Sequence, residues 1–485
     1  MVLDLTPALS ELLLFIGALV LLLLGVFREH EGTRVVTPLT VLTLVGAALV
    51  AIAHEKTRTI GFDGHFVFDG YAAFLKVLIL LGSAGALLLA GGFLQDERID
   101  RFEYPLLVLL SALGMSMMVS ANSFIALYMA LELQSLPIYV LAAFHRDNLR
   151  STEAGLKYFV LGALASGMLL YGCSLVYGFS GTVQFDALSE LWARGAAAGG
   201  PGLPLGALVG LVFVVSGLAF KMAAVPFHMW TPDVYEGAPS PVTAFMAGAP
   251  KVAAVGLMLR VLMGPFHLWV DQWQQIVVVV SIASMALGAF AAIGQSNFKR
   301  LMAYSGIANI GYALVGVAAG TASGINGALV YMAIYLVMTL GTFACILQMR
   351  RQGRYVESIA DLSGLSRRRP MMALALAIFM FSLAGIPPLA GFIGKLYVFR
   401  AAIDAGLAWF AVVGVVLSVV GAYYYVRIVK IMYFDEPAEA FDALPYPAVG
   451  AVAAICAVLM LFFVVPFVAS PLLASAEAAA LALVR

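Results

Sequence analysis

Apolar runs of about twenty residues, the length of helix a bilayer core demands, recur from one end of the 485-residue chain to the other. No polar stretch between them is long enough to form a soluble domain. The runs, such as Leu12 to Val26, are apolar on every face, whereas the strands of a membrane barrel alternate apolar with polar residues. The pattern therefore predicts a single all-α polytopic membrane domain covering residues 1–485. Its composition agrees: 63% hydrophobic and 11% charged residues, against roughly half and a quarter in soluble domains.

About fourteen spans are expected, at 6–27, 36–54, 71–94, 105–121, 123–144, 156–178, 203–224, 241–263, 274–294, 299–319, 324–348, 371–399, 402–432 and 446–470. The first ten residues carry Asp4 and no Lys or Arg, so they lack the basic region of a secretory signal. Loops assigned alternately to two sides divide the basic residues sharply. One side collects sixteen, including Arg98, Arg101, Arg146, Arg150 and six arginines between Met349 and Pro370; the other has Lys56, Arg58, Arg194, Arg400 and Arg485. The richer side is expected to be cytoplasmic, with both termini on the opposite, periplasmic side.

Several function classes drop out. The 27 basic and 27 acidic residues cancel, so no net field points to nucleic acid. Cys173, Cys345 and Cys456 are far apart inside apolar runs and read as small core residues. No G-x-G-x-x-G, P-loop or H-E-x-x-H pattern is present, so no cofactor and no metal is expected in this chain.

The informative charges are those inside spans. Lys76 lies in the first turns of its span and Arg260 near the end of its own, so both are expected to snorkel to the interface. Lys157 is also near a helix start. Glu132, Lys221, Lys251 and Lys395 are deeper. Each such charge costs roughly 2.5–3.5 kcal/mol on insertion scales, about 10 kcal/mol for the four. That total is comparable to the whole net stability of a typical domain, about 5–15 kcal/mol. One carboxylate can absorb one lysine as packing glue but leaves two unneutralised. A file of buried lysines is instead suited to conducting protons or cations.

Two helix breaks accompany these lysines. Pro226 follows Lys221 by five residues, and Pro387-Pro388 precedes Lys395 by seven. Proline frees a helix carbonyl, and in a membrane such breaks survive where they are buried in protein or line a water-filled cavity. His228, two residues beyond Pro226, can extend the polar line or serve as a hydrogen-bonded buried histidine. The broken spans are five apart. Two five-helix repeats, 105–263 and 274–432, would place them at equal positions in opposite orientation, as in transporters with inverted repeats.

Three tracts carry a family resemblance: Leu218 to Pro239 (LAFKMAAVPFHMWTPDVYEGAP), Asn297 to Ser305 (NFKRLMAYS) and Ser382 to Lys395 (SLAGIPPLAGFIGK). They resemble the antiporter-like membrane subunits of respiratory complex I. Lys395 at the second break and the tract Tyr128 to Pro137 are similar to N-type members rather than the L and M types. The Mrp-type sodium/proton antiporters share much of the pattern and form the alternative. The resemblance implies proton translocation coupled to quinone reduction in other subunits. It implies Glu132 and Lys221 as a partnered carboxylate and lysine, Lys251 as central relay, Lys395 as the lysine of the second break, and Lys157 and His228 as supporting members. It also implies M-, L- and K-like membrane neighbours in the lipid bilayer, with NADH, FMN, iron–sulfur clusters and quinone held elsewhere in the complex.

Overall fold

The computed structural model describes residues 5–28, 32–55, 58–197, 203–443 and 446–484. Lys56 and Arg485, counted above on the poorly basic side, and Asp4 lie outside the described residues.

The chain is an all-α polytopic membrane fold. Its amino-terminal part comprises α1 (Leu9–Phe27), α2 (Gly32–Ala53), α3 (Gly70–Asp96), α4 (Glu103–Val119), α5 (Phe124–Ala142), α6 (Leu149–Ser180) and the short α7 (Phe185–Ala197). The middle holds α8 (Leu205–Met222), α9 (Thr231–Gly237), α10 (Ser240–Ala247), α11 (Ala249–Met263), α12 (Val270–Ile293), α13 (Phe298–Ala318) and α14 (Ala322–Ile346). After the turn α15 (Leu365–Arg368) come α16 (Pro370–Ala384), α17 (Ala390–Asp404), α18 (Ala408–Phe434), α19 (Pro447–Leu461) and α20 (Pro466–Val484). Two small hairpins, β1 (Thr59–Gly61) with β2 (Phe66–Phe68) and β3 (Arg350–Arg351) with β4 (Arg354–Tyr355), decorate the ends of the bundle.

Among the described residues, twelve helical segments are long and apolar enough to cross a membrane. Three other crossings are too short or too broken to qualify whole: α4, the α16–α17 pair, and α19, which continues into α20. With α19 and α20 counted as one interrupted crossing, the structure has the expected fourteen. The last span differs from expectation. Residues after 470 are helical to Val484, and α20 packs on α3 and α14. Pro466 interrupts the run, because it cannot donate to the preceding turn.

The loops gather at two ends. At one, Arg350 pairs with Asp96 at 2.9 Å, the Tyr446 hydroxyl donates to Asp96, and the Gly364 N–H donates to Ile431; this is the arginine-rich face. At the other, the Val67 N–H donates to Ser120, Asn122 donates to Asp186, and Gly70 approaches Ala482 near the end of α20.

Packing follows membrane rules. Side chains such as Val416, Val419 and Phe467 are exposed on the outside of the bundle, while every residue of α11 is buried. Helices α6 and α8 meet at Gly172 and Gly210. A Cβ on Gly172 would stand 2.6 Å from the Gly210 carbonyl oxygen, and one on Gly210 would stand 2.8 Å from that of Gly172. Small residues permit this approach, and dispersion between the closely packed backbones holds it. All three cysteines are buried and free.

Lys76 and Arg260 depart from the snorkelling expectation. Lys76 is wholly buried and pairs with Glu11 of α1 at 2.8 Å. Ser116 also donates to Glu11. Arg260 donates two bonds of 2.9 Å to Asp69, the residue that caps α3. Both lie near helix ends, but neighbouring helices, not the interface, supply their partners. Glu11 and Asp69 are thus buried acids that the span pattern does not bring forward, and these two ion pairs are locally neutral.

Candidate functional site

The centre of the bundle is organised by two interrupted helices. Helix α8 enters from the face opposite the arginines and ends at Met222, where Ala223 takes the left-handed conformation with φ 64°. Helix resumes only at Thr231. Helix α16 enters from the arginine-rich face, ends at Ala384 with Gly385 at φ 84°, and resumes at Ala390. The Val225–Pro226 and Pro387–Pro388 peptide bonds are cis. The breaks run in opposite directions, and a lysine stands at each.

Lys221 is 7% exposed. Its ammonium donates to Ser135 Oγ at 2.7 Å and to Tyr139 Oη at 3.0 Å. Both acceptors lie on the face of α5 that also carries Glu132, three and seven residues before them. Glu132 Oε1 is buried without a hydrogen-bond partner, and no ion pair joins Glu132 to Lys221 among the described residues. The carboxylate and lysine therefore share one polar cleft without touching.

Lys251, 1% exposed, has no hydrogen-bond partner at Nζ. It lies 5.5 and 5.8 Å from the ring centres of Tyr235 and Tyr335, a cation–π distance. It rests against Gly306 of α13, whose missing side chain makes room for the ammonium. The Tyr235 hydroxyl and Thr339 Oγ1 are likewise buried without protein partners.

Lys395, 6% exposed, is held by the second break itself. Its ammonium donates to the carbonyls of Leu383 at 3.1 Å and Ala384 at 2.9 Å, and to Ser418 Oγ at 2.7 Å. These are carbonyls that an unbroken helix would have used internally, at the negative end of the α16 dipole. The ring of Tyr312 covers the same ammonium at 4.6 Å.

Polar side chains join these stations. From Lys251, Tyr335 leads one turn along α14 to Tyr331, which donates to Asn309 at 2.6 Å. Asn309 donates to the Ser305 carbonyl at 2.7 Å, and Ser305 bonds the Tyr425 hydroxyl at 2.5 Å. Tyr312, 6.4 Å from Tyr331 between ring centres, closes the distance to Lys395. On the other side, Tyr139 meets Tyr158 edge-on, Tyr158 stacks on Trp230 at 4.2 Å, and Trp230 adjoins Tyr235. His228 sits inside the first break with Nδ1 buried and unpartnered.

Lys157 stands apart. Its side chain is 41% exposed and pairs with Glu153 at 2.7 Å and Asp233 at 2.8 Å. Asp233 also receives Arg300. Lys157 and Arg300 hold the Asp233 carboxyl below the usual carboxylate range.

Sequence reasoning brought forward the three buried lysines, Glu132 and His228, but missed Ser135, Tyr139, Tyr235, Tyr335, Asn309 and Ser418. The available signal was the recurrence of Tyr and Asn inside apolar runs at helical spacing, as in Tyr331-Met332-Ala333-Ile334-Tyr335. Among the described residues no group of three or more His, Cys, Asp or Glu side chains is placed to hold a metal ion.

A buried file of cationic side chains bridged by hydroxyls, across two oppositely directed broken helices, defines a class of membrane proteins that move small cations. Residues 121–421 match the family described as NADH:quinone oxidoreductase/Mrp antiporter, transmembrane. The chain belongs to that family. Within it, the chain is 58% identical to the NADH-quinone oxidoreductase subunit N of Parvibaculum lavamentivorans, over 98% of this chain and 97% of the relative. A chain of respiratory complex I from Thermus thermophilus with bound aureothin is 34% identical, with a TM-score of 0.80 over 94% of this chain and 97% of that one. A chain of the Mrp complex from a Dietzia species has a TM-score of 0.84 at 24% identity, over 99% and 98% of the two chains; it shares the fold.

Proposed function

We propose that this chain is a proton-translocating membrane subunit of an NADH:quinone oxidoreductase, moving protons through its buried lysine file while other subunits reduce quinone. The observation that carries this reading is that Lys221, Lys251 and Lys395 are buried with no carboxylate in contact among the described residues, yet are linked by tyrosine, serine and asparagine side chains. Retaining such charges without counterions costs several kcal/mol each, and packing alone supplies no reason for it. Buried polar atoms without protein partners call for water, so Tyr235, Thr339 and Lys251 are hydrated stations on the path.

In this reading Glu132 and Lys221 act together. Approach of the carboxylate favours the protonated lysine and separation favours its release, which makes the cleft between α5 and α8 a two-state element. Lys251 relays, and Lys395 holds the proton at the second break. His228 supports the first break, and Lys157 acts from outside the file through Asp233. Helices α4 to α11 and α12 to α18 form the two inverted repeats, 105–263 and 274–432. The arginine-rich face lies in the cytoplasm of a bacterial cell and both termini on the other side of its inner membrane. NADH, flavin, iron–sulfur clusters and quinone belong to other subunits, and M-, L- and K-like membrane subunits are the neighbours. The high identity to a subunit N, against a fold-level likeness to the Mrp complex, favours this reading over an antiporter.

The test is proton uptake into vesicles carrying the whole complex, measured with quinone reduction. Lys221→Ala and Glu132→Ala should each lower pumping and the quinone reduction coupled to it, with the complex still assembled. Undiminished pumping in both variants would refute the proposal.

A further inference from the structure

The arginine-rich face is indented by a polar vestibule of about 700 Å³. Its walls come from the start of α6, the α9–α10 turn, the start of α13 and the hairpin β3–β4, and its charged lining is Glu97, Arg150, Glu236, Lys299, Arg354 and Glu357. The hairpin segment has so far served only to orient the chain. Its Glu357, just beyond β4, reaches into the vestibule: Oε1 accepts from Lys299 Nζ at 2.8 Å and from Ser240 Oγ at 3.4 Å, and Oε2 accepts from Asn297 Nδ2 at 3.1 Å. The Glu357 carbonyl also accepts from the Phe298 N–H at 2.7 Å, which fixes the hairpin to the first turn of α13.

Lys299 is 2% exposed, so this is a built site and not a surface pair. It points inward on a face of α13 that is already functional. Gly306, against which the Lys251 ammonium rests, is seven residues on, two helical turns and about 10 Å along the same face. The second donation of Lys299 goes to the carbonyl of Ala238 at 2.7 Å, three residues after Tyr235. The segment that forms the vestibule wall thus also delivers the unpartnered Tyr235 hydroxyl beside Lys251.

We infer that the Glu357–Lys299 pair is the proton-exchange site through which Lys251, by way of Tyr235, communicates with water on the arginine-rich face. The inference rests on the proton-conducting reading of the lysine file and adds its mouth. The step balances without a co-reactant. The Glu357 carboxylate takes a proton from a hydronium in the vestibule. Glu357 gives that proton up to water leading inward and is a carboxylate again. That water protonates the Tyr235 oxygen as the hydroxyl hydrogen of Tyr235 passes, through water, to the free amine of Lys251, leaving an ammonium, since neither atom has a protein hydrogen-bond partner. Lys299 stays charged and holds the carboxylate in place.

The experiment uses the whole complex in vesicles. Glu357→Gln should lower pumping severalfold, Glu357→Asp should restore most of it, and Glu97→Gln, at the rim, should leave it near normal. An exposed rim position, Ser296→Cys, gives a second measurement with the folded chain intact, because Cys173, Cys345 and Cys456 are all buried. A cationic methanethiosulfonate reagent should label it and slow pumping on labelling. Full pumping by Glu357→Gln, equal loss in Glu97→Gln, no labelling, or labelling without slowing each overturns the assignment. Loss in Lys251→Ala with none in Glu357→Gln would remove the mouth and leave the file; no loss in Lys251→Ala would remove the conducting reading itself.

Discussion

Replacing Arg260 with methionine should destabilise the protein far more than its place near a helix end suggests. The guanidinium makes two parallel bonds of 2.9 Å to Asp69, Tyr71 covers it at 4.9 Å, and Asp69 and Arg260 are 4% and 5% exposed. Asp69 keeps its capping bond from the Ala72 N–H at 2.7 Å, but its second oxygen would be left charged and unpaired. Breaking a buried pair in this way costs about 3–5 kcal/mol, whereas a pair at the wet interface is worth about 0–1 kcal/mol. Unfolding titrated with dodecyl sulfate in mixed micelles separates the two cases. Asp69→Asn should cost a similar amount. The double variant should cost clearly less than the sum of the two, because no lone charge remains. A single-variant loss below about 1 kcal/mol, the interface value, or strict additivity in the double variant, would refute the buried-pair reasoning.

Other substitutions test separate parts of the structure. Gly391→Ala would drive its methyl group into the Ser382 carbonyl, so assembly should fall sharply on immunoblots of membranes, while Gly450→Ala, with open space around it, should assemble normally. Asn309→Leu removes the group that joins Tyr331 to Ser305 and Tyr425; pumping per quinone reduced should drop while the complex remains intact. The Asp442 carboxylate accepts from the backbone N–H groups of Gly353 and Gln352, the former the main reason its pKa lies below the ordinary aspartate value. A depressed folded-state value contributes stability above the unfolded pKa of about 4 and loses it as pH falls through the folded one. Protection of the β3–β4 hairpin amides, the exchange rate taken relative to an unprotected amide at the same pH, should therefore be high at neutral pH and fall below about pH 4, and Asp442→Ala should show the low protection at neutral pH.

Hydropathy made the helices legible, because a bilayer leaves the backbone few alternatives. The two breaks were legible for the same reason, since Pro226 and Pro387-Pro388 stand where apolar continuity is otherwise kept. The buried partners of Lys76 and Arg260 are not legible, because position along a helix says how far a side chain is from the interface, not which neighbour its face meets. Glu11, a hundred residues from its donor Ser116, could not be paired from local pattern. The partners of Lys221 were hidden for a different reason. Ser135 and Tyr139 are ordinary residues of an apolar helix until the crossing of α5 and α8 brings an ammonium to them. The full length of the final span is not legible because Pro466 and a string of alanines weaken the run, although α3 and α14 supply enough contact to keep it helical.

The way Lys395 is held has a bearing on how this protein tolerates change. A side-chain counterion can be lost by one base substitution, silenced by taking up a proton of its own, or swung away by a rotamer. The carbonyls of Leu383 and Ala384 can do none of these, since every amino acid carries the same oxygen there and it stays unprotonated at physiological pH. The cation seat at the second break is therefore inherited with the bend of the chain, and drift in the residues around it alters its surroundings more readily than the seat itself.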